Sequence, residues 1–379
     1  MASQFNTLLS SRQAPAFPFD IEIDGQTYQC VRLLRYLKNK RLTVEAFVDG
    51  QHVVLKLFKR SFIRKNHQQQ EFTKHQIAAE RKVPVPALLK AGNAEAHGFL
   101  VYAFLEQAVP INPDAFDAKA LLAFIAALHE VGMYQSDFHL DNVLMVNEQY
   151  YLIDMGGIVY TKNKTSLSLK ASLTNVAMFI AHFTPEHQQR LLAVFEHYCL
   201  CRQWTNVDKA MFENTYLRPA WNKRQHLVIE KCFRTCSLTK AKQTWQCRYA
   251  FKRDFLPEQL DDFVASIDAI MQTGEMLKDG NSASVVKVDY AGQVFVIKRY
   301  NIKSVWHFLK RALQTSRAEN SWRYANVLGL LGIPTTAPLG YIESRWGLIR
   351  RQAYFVSAYS QGEDMSHVYQ QRSPTEGEL

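Results

Sequence analysis

Residues 134–156 read YQSDFHLDNVLMVNEQYYLIDMG, the most informative stretch of the chain. Asp137 is followed five positions later by Asn142, then by a short predicted hairpin and by Asp154 and Gly156. A carboxylate at Asp137 can orient an attacking hydroxyl or accept its proton. Asn142 and Asp154 offer hard oxygen ligands of the kind that Mg²⁺ prefers, together with phosphate oxygens and water. Asp137 and Asn142 alone would suit turn capping, but their joint spacing with Asp154 favours catalysis and metal binding.

A lysine and a glutamate upstream complete the pattern. Val53-Val54-Leu55-Lys56 is an apolar strand that ends in a lysine, and Glu71 begins the helical stretch EFTKHQIAAERK. Lys56 can neutralise phosphate charge, and Glu71 can hold the lysine in place. Because phosphoryl transfer needs mainly positioning and charge neutralisation, these residues fit such a reaction.

The same arrangement occurs a second time. Val294-Phe295-Val296-Ile297-Lys298 repeats the lysine strand, and Glu319 lies in the helical stretch ENSWRYANVLGL. Each glutamate leads to a proline-bearing loop, 13 residues on in the first copy and 15 in the second. Self-similarity of this kind predicts that residues about 20–107 and about 270–363 are two copies of one strand-rich unit with a single helix.

The two copies continue into different segments. After the first, helical periodicity and helix-forming composition predict helices over 118–129, 173–182 and 185–198, with Thr184 as a cap and Pro185 in the first turn. After the second, only SHVYQQRSPTEGEL remains, a polar stretch that predicts a frayed tail. The second copy therefore lacks a helical half.

In this order, Lys56, Glu71, Asp137, Asn142 and Asp154 resemble the protein-kinase-like superfamily. More narrowly, the chain resembles bacterial lipopolysaccharide core kinases, which phosphorylate heptose or Kdo sugars of the inner core. VVLK with EFTKHQIAAERKVPVP carries the likeness in the first copy, and VIKRY with SRAENSWRYANVLGLLGIPT carries it in the second. The resemblance implies ATP and Mg²⁺ as cofactors, with Asp137 catalytic, Lys56 and Glu71 at the nucleotide, and Asn142 and Asp154 on the metal.

The resemblance also implies an α+β fold. A bilobal kinase-like domain is expected over 1–265, with an N-lobe at about 20–107 and a C-lobe at about 108–265 that includes the stretch 218–253. A second N-lobe-like unit without a C-lobe is expected over 266–379. Lys298 and Glu319 are expected to form the same ion pair as Lys56 and Glu71. They suit a structural remnant, a regulatory nucleotide site, or half of a second kinase.

The chain departs from the kinase pattern in several places. Gln135 stands where the family has a histidine, and it can still form hydrogen bonds. No glycine-rich loop precedes Lys56, so that the cations of residues 34–43 are expected to contact phosphates instead; they are Arg35, Lys38, Lys40 and Arg41. The second copy does have a glycine turn at 278–282, ahead of Lys298. No Ala-Pro-Glu activation segment follows Asp154, which favours a small-molecule or glycan kinase over a conventional protein kinase.

Positive charge is concentrated in one stretch. The chain has 45 Lys and Arg against 35 Asp and Glu, a formal charge of +10, and residues 218–253 alone hold ten cations and one acid. Aromatic residues are interleaved with them, namely Trp221, Phe233, Trp245, Tyr249 and Phe251. An anionic membrane or glycolipid, nucleic acid and a phosphorylated substrate all suit such a patch, as does a solvated face without a partner. We favour the membrane or glycolipid over nucleic acid.

Composition bounds the protein class. The longest apolar run is nine residues, 120–128, too short for a spanning helix, and the first twenty residues lack the pattern of a secretory signal. Six sparse cysteines do not suggest a disulfide framework. His197, Cys199 and Cys201 could share a metal, but ordinary thiols are the simpler interpretation. We therefore expect a cytoplasmic protein, peripheral on the inner membrane.

The sequence thus predicts an ATP-dependent phosphotransferase that acts on a sugar hydroxyl of the lipopolysaccharide core. Two alternatives stay open. Gln135, the missing glycine loop and the incomplete second copy also suit a pseudokinase scaffold in cell-envelope biogenesis. A protein Ser/Thr kinase would instead place phosphate on a polypeptide.

Overall fold

The fold is α+β, in a computed structural model that describes residues 4–11, 14–60, 66–94, 97–255, 257, 259–301 and 314–362. The chain divides into two compact units, Met1–Trp221 and Asn222–Leu379. The polar tail that the sequence predicts at 366–379 lies outside the described residues. None of the described helices has the length and apolar character needed to cross a bilayer.

The first unit begins with an antiparallel sheet. Its strands are β1 Phe19–Ile23, β2 Gln26–Leu37, β3 Arg41–Val48, β4 Gln51–Phe58, β5 Leu88–Ala94 and β6 His97–Ala103. They pair in the order β1-β2-β3-β4-β6-β5. Helix α1 spans Gln4–Ser10, and helix α2, which spans His67–Glu80, connects β4 to β5.

Strand alternation in β4 aims Lys56 away from the sheet core. Val53, Leu55 and Leu57 are fully buried in one apolar cluster with Phe5 of α1. Because successive side chains of a strand point to opposite faces, Lys56 lies on the other face. Helix α2 begins where the side chain of Asn66 accepts a hydrogen bond from the backbone N–H of Gln69 at 3.2 Å.

The rest of the first unit is mostly helical. Its elements are β7 Val109–Pro110, α3 Ala118–Glu130, β8 Met133–Gln135, β9 Val143–Val146, β10 Gln149–Leu152, β11 Ile158–Tyr160, α4 Leu169–Ile180, α5 Pro185–Ala193, α6 Phe195–Cys201, α7 Lys209–Phe212 and the start of α8 Arg218–Cys232, with 3₁₀ turns at Leu140–Asn142 and Met155–Gly157 and a π turn at Glu213–Leu217. The helix predicted at 118–129 is confirmed, and so is helix over most of 173–182. The helix predicted at 185–198 is two helices that meet at Val194.

The second unit is built on a larger antiparallel sheet. Its strands are β12 Thr239–Gln243, β13 Cys247–Lys252, β14 Glu275–Gly280, β15 Ala283–Tyr290, β16 Gln293–Tyr300, β17 Pro338–Trp346 and β18 Ile349–Ala358. They pair in the order β12-β13-β17-β18-β16-β15-β14. Its described helices are α9 Leu260–Ala265, α10 Ile267–Gln272 and α11 Arg317–Leu330, with a 3₁₀ turn at Arg253–Phe255.

The repeat seen in the sequence is present in the topology. The order β2-β3-β4-β6-β5 of the first sheet matches β14-β15-β16-β18-β17 of the second. In each case a long helix, α2 or α11, lies in the described part of the connection between the third strand and the fourth in chain order. Local sequence similarity therefore reflects a shared arrangement of five strands and one helix.

The division between the units falls earlier than the sequence predicts. The helical lobe of the first unit was expected over about 108–265, but β12 and β13 belong to the second sheet, where β13 pairs with β17. Tyr249 and Phe251 face one apolar cluster of that sheet, and Ala250 faces the other. Strand pairing depends on residues about ninety positions away, so local periodicity could not assign these strands to a sheet.

Candidate active site

The lysine and glutamate of the first unit form a buried ion pair. Lys56 Nζ lies 2.5 Å from Glu71 Oε1, and the Glu71 side chain is 1% exposed. The hydroxyl of Tyr102 on β6 also donates to Glu71 Oε1, at 3.3 Å. Burial, followed by the negative charge of Glu71, raises the pKa of Tyr102, so the phenol remains a donor. The pair positions the Lys56 ammonium on the face of the sheet that α2 covers.

Asp154 lies beside this pair, joined to it by arginine. Arg41 Nη1 is 3.2 Å from Glu71 Oε2 and 3.5 Å from Asp154 Oδ1, and Arg35 Nη1 is 3.2 Å from Asp154 Oδ2. Burial alone would raise the pKa of Asp154, but Lys56, Arg41 and Arg35 outweigh it and hold that pKa below its ordinary value. The site therefore combines two carboxylates, Glu71 and Asp154, with three basic side chains.

Lys74 is a fourth basic residue at the site, and sequence analysis did not predict it. Its Nζ donates to the backbone oxygen of Gly156 at 2.7 Å. Burial lowers the pKa of Lys74, against the opposite effect of Glu71 and Asp154. Lys74 follows Glu71 by three positions on α2, and residues so spaced lie on one face of a helix. That spacing is the signal that could have identified it.

A hydrogen bond between Asn142 and Asp137 joins the two ends of the predicted catalytic loop. Asn142 Nδ2 donates to the backbone oxygen of Asp137 at 2.8 Å, and Ile153 N donates to Asn142 O at 2.9 Å. Asn142 thus lies immediately before β9 and Asp154 two residues after β10, at the open end of one hairpin. The fully buried ring of Phe138 packs on Phe179, with ring centroids 4.4 Å apart. This anchors the loop while its neighbour Asp137 stays exposed.

Of the predicted residues, Lys56, Glu71 and Asp154 share one network, and Asn142 lies beside the backbone that leads to Asp154. The carboxylate of Asp137 has no ion pair with that network among the described residues. Of the four cations expected at residues 34–43, Arg35 and Arg41 contact Asp154, while Lys38 and Lys40 are exposed.

A series of buried, hydrogen-bonded polar side chains leads from the protein interior to the backbone of Asp154. Gln135 Nε2 donates to the backbone oxygen of Asp154 at 3.0 Å, and Asn175 Nδ2 donates to Gln135 O at 2.7 Å. Asn175 Oδ1 lies 3.0 Å from His129 Nε2, and His129 Nδ1 lies 2.7 Å from the hydroxyl of Tyr198. Burial lowers the pKa of His129 to about 4, so its neutral ring donates to Asn175 and accepts from Tyr198.

The oxygen donors suit magnesium. Asn142 uses its amide nitrogen within the loop, which leaves the amide oxygen available, and Asp154 is an ionised carboxylate. Within the described ranges, no group of three or more His, Cys, Asp or Glu is arranged to hold a metal. A magnesium ion here would therefore depend on Asn142, Asp154, phosphate oxygens and water. His197 Nε2 and Cys201 Sγ lie 3.7 Å apart, and Cys199 is buried.

Among the described residues of the second unit, Lys298 and Glu319 do not form the expected ion pair. Glu319 contacts Arg248 at 3.1 Å, Arg323 at 3.3 Å and Arg350 at 3.9 Å, and no ion pair of the described residues joins it to Lys298. Burial, then Arg317 and Lys278, lowers the pKa of Lys298. Strand β13 has no counterpart among the described strands of the first sheet. It supplies Arg248, which pairs with the glutamate that was expected to pair with Lys298.

Some of the basic side chains in residues 218–253 form ion pairs within the protein, and others are exposed at its surface. Arg234 pairs with Glu230, Lys242 with Asp261, and Arg248 with Glu319. Arg218 and Lys223 of α8 are exposed. The concentration of charge in the sequence is therefore divided between internal ion pairs and the surface.

The chain has one kind of similarity to known proteins, a weak structural one. No family model and no curated protein matches the chain. Among the solved structures that match is that of vaccinia related kinase 3, which is 12% identical. The match covers 70% of this chain and 88% of that one with a TM-score of 0.31, too low to establish a shared fold.

Proposed function

We propose that the first unit is an ATP-dependent phosphotransferase. The observation that carries the proposal is the network in which Lys56, Arg41 and Arg35 converge on Glu71 and Asp154. Three cations beside two carboxylates suit a polyphosphate, whose charge the cations neutralise. The described residues of the network come from β2, β3, β4, α2 and the turn after β10, so the fold rather than a single loop supplies it.

Each residue has a separate role in this proposal. Lys56, held by Glu71, contacts the nucleotide phosphates, and Arg35 and Arg41 take the place of a glycine-rich loop. Asn142 and Asp154 hold Mg²⁺, which when bound would neutralise phosphate charge. Asp137, exposed at the end of an anchored loop, orients the acceptor hydroxyl or accepts its proton. Gln135 holds the backbone of Asp154 in place.

For the acceptor we propose a sugar hydroxyl of the lipopolysaccharide inner core, reached at the cytoplasmic face of the inner membrane. The support is the likeness of VVLK and EFTKHQIAAERKVPVP to the core kinases and the absence of an Ala-Pro-Glu segment. The exposed cations of 218–253 would attract an anionic membrane or the phosphorylated acceptor.

The test is transfer of the γ-phosphate of labelled ATP to a panel of dephosphorylated core oligosaccharides, with Mg²⁺. Label on a sugar that is lost in Asp137→Asn is the expected result, with Asp141→Asn, a neighbouring exposed residue, as the control. Label on protein rather than glycan would indicate the protein Ser/Thr kinase. Equal transfer by Asp137→Asn would remove Asp137 from the mechanism.

A pseudokinase scaffold is the second candidate. It is favoured by the two arginines on Asp154, which occupy both oxygens of the proposed metal ligand. ATP binding seen as a thermal shift, without transfer to any acceptor and without an increase when Mg²⁺ is added, would support it over the enzyme.

A further inference from the structure

Two neighbouring hairpin turns in the second unit carry large apolar side chains in water. The turn between β12 and β13 holds Trp245, which is 69% exposed. In the next hairpin, Trp346 ends β17, Leu348 lies in the turn and Ile349 begins β18; they are 67%, 80% and 38% exposed. We call these four residues the tip patch. Isolated apolar side chains on a surface are ordinary, whereas two exposed tryptophans and two exposed aliphatic residues at hydrogen-bonded, adjacent hairpin ends indicate an interaction site.

The two turns are fixed to each other. Arg345 N donates to Gln246 O at 2.7 Å, and Gly347 N donates to Trp245 O at 3.0 Å. The Trp245 ring lies against Gly347, where a Cβ atom would stand 2.7 Å from Cη2 of the indole. Gly347 also has a φ of +61°, which favours glycine. The tip patch is therefore preorganised, and binding through it requires little ordering of side chains.

Arginines surround the base of the tip patch. Arg345 and Arg350 face each other in the register of β17 and β18, and both contact Glu343, at 2.6 and 3.2 Å. Arg248 and Arg323 share Glu319 with Arg350. Both glutamates are buried. Four arginines share these two glutamates, which leaves an excess of two positive charges. Arg351, which follows at once, is exposed.

We propose that the tip patch inserts into the interfacial layer of an anionic bilayer. Tryptophan suits the headgroup region because its ring is apolar and its N–H is polar, and Leu348 and Ile349 would reach the acyl boundary. The exposed Arg351 and the excess positive charge of the four arginines would add electrostatic attraction to an anionic surface. The apolar groups are exposed at two hairpin ends beside an excess of positive charge, which favours an anionic bilayer over a protein partner. This inference deepens the proposed function and rests on its placement of the chain at a membrane, but its test requires neither nucleotide nor acceptor and can fail independently of phosphate transfer.

The test is flotation of the full 379-residue chain with vesicles, without ATP. Vesicles of phosphatidylcholine with one third phosphatidylglycerol are compared with pure phosphatidylcholine. The variant combines Trp346→Ser with Leu348→Ser. The matched control combines Tyr324→Ser with Met276→Ser, which remove apolar groups that are 62% and 55% exposed elsewhere in the same unit.

We expect the tip variant to bind anionic vesicles at least tenfold more weakly than the unchanged chain, and the control to bind within twofold of it. Neutral vesicles should bind the unchanged chain at least tenfold more weakly. Binding by the tip variant equal to that of the unchanged chain would overturn the proposal. So would self-association in sedimentation velocity that only the tip variant loses, without vesicle binding by any form, since the patch would then join copies of the chain.

A second variant guards against misfolding. Leu348→Asp changes one side chain that is 80% exposed and should leave the thermal midpoint unchanged. Loss of vesicle binding with an unchanged midpoint supports insertion. Retained binding with the aspartate in place contradicts it, because a carboxylate at that depth is repelled by both the acyl layer and the anionic headgroups.

Discussion

Gln135 Nε2 donates a hydrogen bond to the backbone oxygen of Asp154 at 3.0 Å. This glutamine occupies the position where the family that the chain resembles has a histidine. It holds the segment that presents the Asp154 carboxylate, and Gly157 leaves room for it, since a Cβ there would collide with its Oε1. The departure from the family pattern is therefore compatible with an ordered site.

Replacing Gln135 by alanine should loosen the Asp154 segment. Gln135 is 1% exposed, and its loss leaves the Asp154 carbonyl without this donor, which should lower the free energy of unfolding by about 1–3 kcal/mol. Phosphate transfer should fall roughly tenfold or more, as for other residues that orient a metal ligand. Denaturant titration and the transfer assay measure the two effects. Gln69→Ala, on the exposed side of α2, should change neither.

Glycine should be the least disruptive replacement of Asp154. Asp154 has φ 61° and ψ 71°, the left-handed region, where any residue with a Cβ is strained by about 1 kcal/mol relative to glycine. Asp154→Gly and Asp154→Ala both lose the ion pairs with Arg35 and Arg41, so the glycine variant should be the more stable by that amount. Both should lose phosphate transfer. Transfer by Asp154→Gly at the rate of the unchanged chain would exclude Asp154 as a metal ligand.

The stability of the first unit should depend on pH through His129. Its pKa is lowered by burial from 6.5 to about 4, so below pH 6.5 the unfolded chain binds a proton that the folded chain does not. The free energy of unfolding should therefore fall as the pH drops from 6.5 to 4, by up to about 3 kcal/mol. His129→Gln should flatten this slope, and His226→Gln, an exposed histidine, should leave it intact. Equal slopes in all three proteins would contradict the assignment.

Replacing the two equivalent lysines, Lys56 and Lys298, by methionine should change the free energy of unfolding in opposite directions. Lys56→Met removes a partner of the buried Glu71 and should lower the free energy of unfolding by about 2 kcal/mol, with loss of transfer. Lys298→Met removes a cation whose pKa is lowered by burial, then by Arg317 and Lys278, and should stabilise the protein at pH 7. That gain should shrink as the pH rises through the Lys298 pKa, since the neutral amine is no longer repelled. Unfolding curves at pH 7 and pH 10 check both signs.

Much of the fold could be predicted from local signals. The alternation of Val53, Leu55 and Leu57 with Lys56 fixed the strand and its buried face, and the matching strand at Lys298 indicated the repeat. The boundary between the units could not be predicted, because β12 and β13 look the same in sequence whichever sheet they join. Only the pairing of β13 with β17 decides their place.

The candidate site was predictable to a similar degree. Lys56 and Glu71 form the pair that their spacing indicated, whereas Lys298 and Glu319 do not, although the two sequences are alike. The difference comes from Arg248, which a strand outside the repeat brings to Glu319. The chain from Tyr198 through His129 and Asn175 to Gln135 was also missed, since its members lie on separate elements and have no common spacing.

The pairing of β13 along β17 has a practical consequence for dissecting the protein. A fragment cut at residue 265, where the sequence alone would separate the halves, would strip β17 of its neighbour and leave a row of unpaired backbone donors and acceptors. Such bare edges template the pairing of one chain with another, so aggregation is the expected fate of that fragment. A cut just before Asn222 keeps the seven strands together.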